Sequence, residues 1–209
     1  MLVLCPTHFE ASHVRRLLQP RGLRPHVIGV GGGCEPRLRA IAATHPGPHR
    51  AVLVGIAGGL RPQAAVGAAY HAERVIDEFG ATHAPTGSAL GPRLPLLCAR
   101  DVVVGEAARE SAAERSGAAM VDMECGPFAR VASQAGWRWT VVRGISDDAA
   151  VELPAEVMRW LRPDGRLHVP NLAADLLRKP RLWPAVRSMH RHASAAMRSA
   201  ARLLEESLA

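Results

Sequence analysis

Three short stretches of the chain gather carboxylates, hydroxyls and an imidazole where a strand-like run gives way to a turn. They are Cys5-Pro6-Thr7-His8-Phe9-Glu10, Val121-Asp122-Met123-Glu124 and Val142-Arg143-Gly144-Ile145-Ser146-Asp147-Asp148. Open α/β sheets build their sites at strand ends. A carboxylate is costly to bury there without partners; one held in such a place can pass a proton or steady a positive charge. Each stretch alone reads equally well as a helix cap or surface acid, because Asp and Ser are common caps. Three in one chain argue for a shared site. Two glycine-rich turns, Gly29-Val30-Gly31-Gly32-Gly33 and the run with Gly55, Gly58 and Gly59, add backbone N–H groups that can cradle an anion.

The elements that must position these groups follow from the hydrophobic pattern. Short apolar runs predict strands at Leu2–Cys5, His26–Val30, Ala51–Gly55, Val66–Ile76, Leu94–Ala99, Ala119–Met123 and Trp139–Val142. Helical patterns fall between them at Ala11–Gln19, about Pro36–Ala43, Glu106–Ser116 and Phe128–Ala135. Buried strands alternating with helices predict a single-domain, three-layer α/β/α fold around a central mixed, mostly parallel sheet. Past Pro154 prolines punctuate short helical pieces, and a longer helix is expected from about Ala185 to Leu208. The chain divides into a catalytic core at 1–152 and a basic helical C-terminal segment at 153–209, packed on or beside it.

With 209 residues, 48% hydrophobic and 22% charged, the chain can bury a real core, and wholesale disorder is excluded. The longest apolar run, Ala51 to Leu60, is interrupted by glycine and too short for a membrane span. No positive region precedes the first apolar stretch, so no signal peptide is expected. Four scattered cysteines fit a reduced, cytoplasmic protein. The net charge of +7 belongs to the C-terminal segment, where ten basic residues from Arg159 to Arg202 face only Asp164 and Asp175. In the last helix Val186, Met189, Ala193, Ala196, Ala200 and Leu203 form one apolar stripe, with Arg187, His190, Arg191, Arg198 and Arg202 opposite. The plain expectation is a packed helix with a solvated basic face; the sharper one is peripheral contact with an anionic membrane.

Three other classes fare poorly. A dinucleotide site would need an acidic residue near positions 49–53, which read His49-Arg50-Ala51-Val52-Leu53. Nucleic-acid binding is disfavoured by an aromatic content of 4%. No metal is expected, since the one close histidine pair, His190 and His192, lacks helical ligand spacing.

Val52 to Leu60 (Val-Leu-Val-Gly-Ile-Ala-Gly-Gly-Leu), Ala119 to Glu124 and Arg143 to Asp147 resemble, in that order, the nucleoside phosphorylase and nucleosidase superfamily over about residues 1–150. The tail, through Arg162-Pro163-Asp164-Gly165-Arg166 and Arg178-Lys179-Pro180, resembles its hopanoid-associated branch. The resemblance implies an enzyme that releases adenine from a purine nucleoside, adenosylhopane in that branch, with no cofactor beyond phosphate as a co-substrate. It implies a homodimer too. Methylthioadenosine/S-adenosylhomocysteine cleavage and a non-catalytic nucleoside-binding protein are the alternatives.

By the same resemblance Asp147 protonates the leaving base at N7, with Asp148 beside it as rival, and partial burial would raise its pKa. Glu124 grips the 2′- and 3′-hydroxyls and steadies the oxocarbenium ion, while Met123 packs on the ribose. Asp122, Ala57, Gly58 and Ser146 complete the substrate contacts, with Val104, from the segment Val102–Gly105, at the base. Glu10 holds the attacking water. Alternatively Gly31, Gly55 and His8 hold phosphate, with Arg15 as a further cation. The arginine that hexameric phosphorylases carry in the strand-end segment is missing from Val54-Gly55-Ile56-Ala57. Hydrolysis and phosphorolysis both stay open. A short Gly- and Pro-rich stretch from Glu78 to Arg93 replaces a longer excursion and would leave room for a bulky 5′-substituent.

Overall fold

The computed structural model describes residues 1–88, 90–148, 154 and 156–208, with the side chain of Met158 outside that description. The boundary expected at 152–153 lies outside the described residues. Eight strands form one mixed sheet: β1 (Leu2–Cys5), β2 (Pro25–Val27), β3 (Arg50–Gly59), β4 (Ala69–Ile76), β5 (Thr82–His83), β6 (Arg93–Cys98), β7 (Met120–Asp122) and β8 (Arg138–Asp147). β1 pairs in parallel with β2 and β3, β3 with β8, β4 with β6, and β6 with β7; β3–β7, β4–β8 and β4–β5 are antiparallel. The sequence β3–β8–β4–β6–β7 returns to β3, so the sheet closes on itself beside β1 and β2.

Helices cover both faces. α1 (His8–Leu18) and α6 (Leu182–Leu208) lie on one side, where Val14, Leu18, Met197, Ala200 and Leu204 pack on Val3, Val52, Val54 and Val142. α2 (Glu35–Thr44) and α4 (Cys125–Gln134) lie on the other, with Leu38, Phe128 and Ala132 against Leu4, Leu53 and Val141. Alternate residues of β1 and β3 feed the two cores, as a strand buried on both faces requires. α3 (Glu106–Ser116) sets Ala112 and Ala113 over Ile76 and Val121.

The three-layer α/β/α arrangement is as expected; several boundaries differ. β3 continues to Gly59 rather than Gly55, and β8 runs to Asp147 rather than Val142, because the two strands pair along their length and that ladder outweighs the weak strand preference of glycine. Their register shifts between Ala57 and Gly58, a bulge beside the strand ends that carry Asp147.

The C-terminal segment supplies a 3-10 turn at Val157–Trp160, α5 (Val169–Arg178) and α6. A tight turn at 162–166 clamps it to the start of α1 and to the segment after β2: Pro163 accepts from the Val30 amide (3.2 Å), and the Gly165 carbonyl from His8 (3.1 Å). Gly165 has φ +78°, and any side chain there would run into the Pro6 carbonyl. The predicted stripe on α6 divides. Ala196, Ala200 and Leu203 are buried in the core, whereas Val186, Met189 and Ala193 face a cavity. No helix among the described residues is long and apolar enough to cross a membrane.

Candidate active site

The ends of β1, β3, β7 and β8 meet at the floor of a cavity of about 610 Å³. The floor is polar. Thr7 caps α1 and exchanges hydrogen bonds with Glu10: the Thr7 amide and hydroxyl donate to Glu10 Oε2 (2.7 and 2.6 Å), and the Glu10 amide donates back (3.2 Å). This is the capping box that the Thr-x-x-Glu spacing permits. The other carboxylate oxygen, Oε1, accepts from the amide of Ile56 at 2.9 Å. Glu10 is buried, and burial raises its pKa, with the Arg143 guanidinium opposing that rise.

Across the floor, Glu124 stands at the N-terminus of α4 and accepts from the Gly31 amide at 2.7 Å. Burial first and the negative charge of Asp122 second push its pKa up to about 8, against Arg143. Asp122 accepts from Arg143 through Nε (2.8 Å) and Nη2, and from the Cys125 amide (3.1 Å). Arg143 is fully buried among Glu10, Asp122 and Glu124; burial works against its charge, but the three carboxylates hold its pKa above the ordinary value. A side chain at Gly55 would meet both the Arg143 guanidinium and the Glu10 carboxyl, so glycine is what lets these groups approach β3.

Asp147 ends β8. Its Oδ1 accepts from the Ser146 hydroxyl at 2.6 Å and its Oδ2 from Arg109. Arg109 is buried and further fixed by the carbonyls of Gly59 (3.0 Å) and Val103 (3.2 Å). The partner of Asp147 is thus a guanidinium rather than an apolar surround, and a charge-assisted bond holds the carboxylate in place.

His8, Glu10, Ala57, Gly58, Asp122, Met123, Glu124, Ser146 and Asp147 all line the cavity. Gly31 and Gly55 take part through their backbones, one as a donor to Glu124 and the other as clearance for Arg143. Val104 does not: it is 44% exposed, and Val102 and Val103 line the cavity in its place. The described residues of the Glu78–Arg93 stretch do not reach the cavity either; Gly87 hydrogen-bonds to Trp139 on β8. Arg109 carries no sequence signal, being one of two arginines on a polar helix. Among the described residues, Cys98, Asp122 and Cys125 form the one group with metal-ligand proximity, but Asp122 is already committed to Arg143 and burial pushes the Cys125 thiol up.

The walls contrast with the floor. Trp160, Leu161, Leu167 and Leu172 from the C-terminal segment, with Val186, Met189 and Ala193 of α6, form an apolar flank above Phe9. His190 joins them, edge-on to Phe9 at 5.7 Å between ring centroids.

Residues 93–177 match the family model of the phosphorylase superfamily. Among solved structures, the chain is similar to a futalosine hydrolase mutant of Helicobacter pylori, with a TM-score of 0.70, 12% identity and coverage of 99% of this chain and 96% of that one. It is similar too to the 5′-methylthioadenosine/S-adenosylhomocysteine nucleosidase of the same organism, bound to butyl-thio-DADMe-Immucillin-A (TM-score 0.68, 14% identity, 99% and 96% covered). A nucleosidase of that kind from Colwellia psychrerythraea, in complex with adenine, gives a TM-score of 0.68 and 13% identity over 99% and 93% of the chains. No curated protein matches the chain.

Proposed function

We propose that this protein hydrolyses the N-glycosidic bond of an adenine nucleoside whose 5′-carbon carries a large apolar group. Adenosylhopane is the nucleoside that the sequence resemblance names. One observation carries the choice of water over phosphate. The two backbone donors best placed to hold an anion, the amides of Gly31 and Ile56, already donate to Glu124 and Glu10. A phosphate at this floor would face Glu10, Asp122 and Glu124, with Arg143 buried among them and Arg109 bonded to Asp147, whereas a water can donate to Glu10 while the oxocarbenium carbon draws on its lone pair.

In this reading Asp147 acts in its protonated form, taken up before each turnover, and passes that proton to N7 of adenine while Ser146 and Arg109 hold its position; bond breaking leaves the carboxylate paired with Arg109 and positive charge on the ribose. Glu124, once ionised, accepts the hydroxyl hydrogens of the sugar and supports that charge, with Met123 against the ring. Glu10, fixed at both oxygens, takes the proton of the attacking water. Asp122 lines the cavity, but its carboxylate is engaged by Arg143, and it acts by positioning that guanidinium. The apolar flank takes the 5′-substituent.

The test is adenine release from adenosylhopane with and without phosphate. Release at equal rates, with a free hydroxyl at the anomeric carbon of the product, is expected. Phosphate dependence with a sugar 1-phosphate product would overturn hydrolysis. Turnover of methylthioadenosine alone would overturn the lipid-linked substrate.

A further inference from the structure

On α5 the residues Val169, Ala173 and Leu177 are spaced by four and fall on one face, which is exposed. Val169 is 60% and Leu177 81% exposed, Trp183 at the start of α6 is 58% exposed, and Leu167 just before α5 is 50% exposed. Among the described residues, seven large hydrophobic side chains are exposed, and these four fall within one short segment. The opposite side of α5 looks inward: Leu172 lines the cavity, Leu176 is buried, and Asp175 accepts from the Trp160 indole at 2.9 Å. One helix therefore separates the apolar flank of the cavity from an apolar stripe on the surface, and Leu167 belongs to both.

The surroundings of the stripe are cationic. The turn between Leu177 and Trp183 holds Arg178, Lys179 and Arg181, all exposed, Lys179 being paired with Glu156, and Arg166 and Arg187 are exposed nearby in the chain. Between Arg159 and Arg191 eight basic residues face two acidic ones, and one of those, Asp175, is buried. Exposed aliphatic groups and a tryptophan amid arginine and lysine match the boundary between anionic headgroups and acyl chains. A second copy of this chain fits the surface poorly, because it would set the same cations against one another.

We propose that the α5 stripe, Trp183 and the basic turn between them dock the protein on an anionic lipid surface, with the cavity mouth at Leu167 facing the bilayer. A lipid-linked nucleoside could then send its sugar and base to the polar floor while its tail stays among the acyl chains. Contact runs through α5 and the turn rather than through the basic face of α6 as a whole, since His190 on that face lines the cavity. The purpose of this docking rests on the lipid-nucleoside reading, but its measurement needs no turnover, so the two fail separately.

The full chain would be mixed with vesicles of phosphatidylcholine and phosphatidylglycerol in equal parts, and with phosphatidylcholine alone. Flotation and tryptophan emission are the readouts. Trp137, Trp139 and Trp160 are buried, which leaves Trp183 as the exposed reporter. Flotation with the anionic vesicles and a blue shift are expected, both absent with the neutral ones. Leu177→Ser and, separately, Arg178→Glu should each weaken binding by about tenfold or more. Unchanged adenine release from a soluble nucleoside would show that both variants fold. Absent binding to anionic vesicles, equal binding to neutral ones, or full binding by both variants would overturn the proposal. A blue shift that grows with protein concentration without lipid would overturn it in favour of a second copy.

Discussion

The floor and the flank of the cavity are built on opposite principles. At the floor, Glu10, Asp122, Glu124 and Asp147 are buried with Arg143 and Arg109, and nearly every oxygen has a named donor. Such a network tolerates little change, because removing one member strands the others without water. The flank is made of Trp160, Leu172, Val186, Met189 and Ala193, which meet a ligand through area rather than direction. In the proposed reading the floor sets what bond is broken, and the flank sets what the nucleoside carries at its 5′ end. The two come from different parts of the chain, joined by the Pro163 and Gly165 contacts.

Substitutions at the floor should break catalysis whatever the substrate. Asp147→Asn keeps the shape but cannot supply the proton, and kcat/KM should fall by about a thousandfold for every nucleoside tested. Glu124→Gln should lower kcat by about a hundredfold and at the same time stabilise the fold. The folded-state pKa of Glu124 is about 8 against an ordinary 4.5. The folded protein therefore binds the extra proton between those values, and wild-type stability declines as pH rises through that window. The glutamine variant mimics the protonated form, so its Tm advantage should widen from pH 4.5 to 8, as thermal melts across that range would show.

Substitutions at the flank should separate substrates instead. Met189→Ser should lower kcat/KM for a nucleoside with a long apolar 5′-substituent by about tenfold, and leave methylthioadenosine nearly unchanged. An equal loss for both substrates would erase the distinction between floor and flank. The smallest effect on chemistry is expected at the joint: Gly165→Ala should cost about 1–3 kcal/mol of stability, measured by denaturant unfolding, because its φ of +78° and the nearby Pro6 carbonyl leave no place for a methyl group.

The legibility of the two regions in sequence differed for a physical reason. Asp122, Glu124 and Asp147 stand out because charged residues ending apolar strands break a local pattern, and Glu10 because it follows the first strand where the resemblance puts an acid. The layers were equally legible, since β1 and α3 follow directly from their apolar and helical periods. Arg109 was not, because its partner Asp147 lies 38 positions away and nothing on α3 marks it out. Nor did the sequence around Arg143 disclose that three carboxylates would converge there, which depends on how β3, β7 and β8 meet. On α6, Val186, Met189 and Ala193 continue the same alternation of three- and four-residue steps as Ala196, Ala200 and Leu203, so periodicity could not tell a cavity wall from a packed core.

The division of labour is tested most directly by kcat/KM for adenine release across adenosines bearing 5′-alkylthio chains of increasing length, in phosphate-free buffer. The floor and flank described above predict turnover without phosphate and a kcat/KM that rises as the chain lengthens, until the apolar wall is covered. Turnover that is greatest with the methylthio group and falls steadily with every added carbon would contradict them.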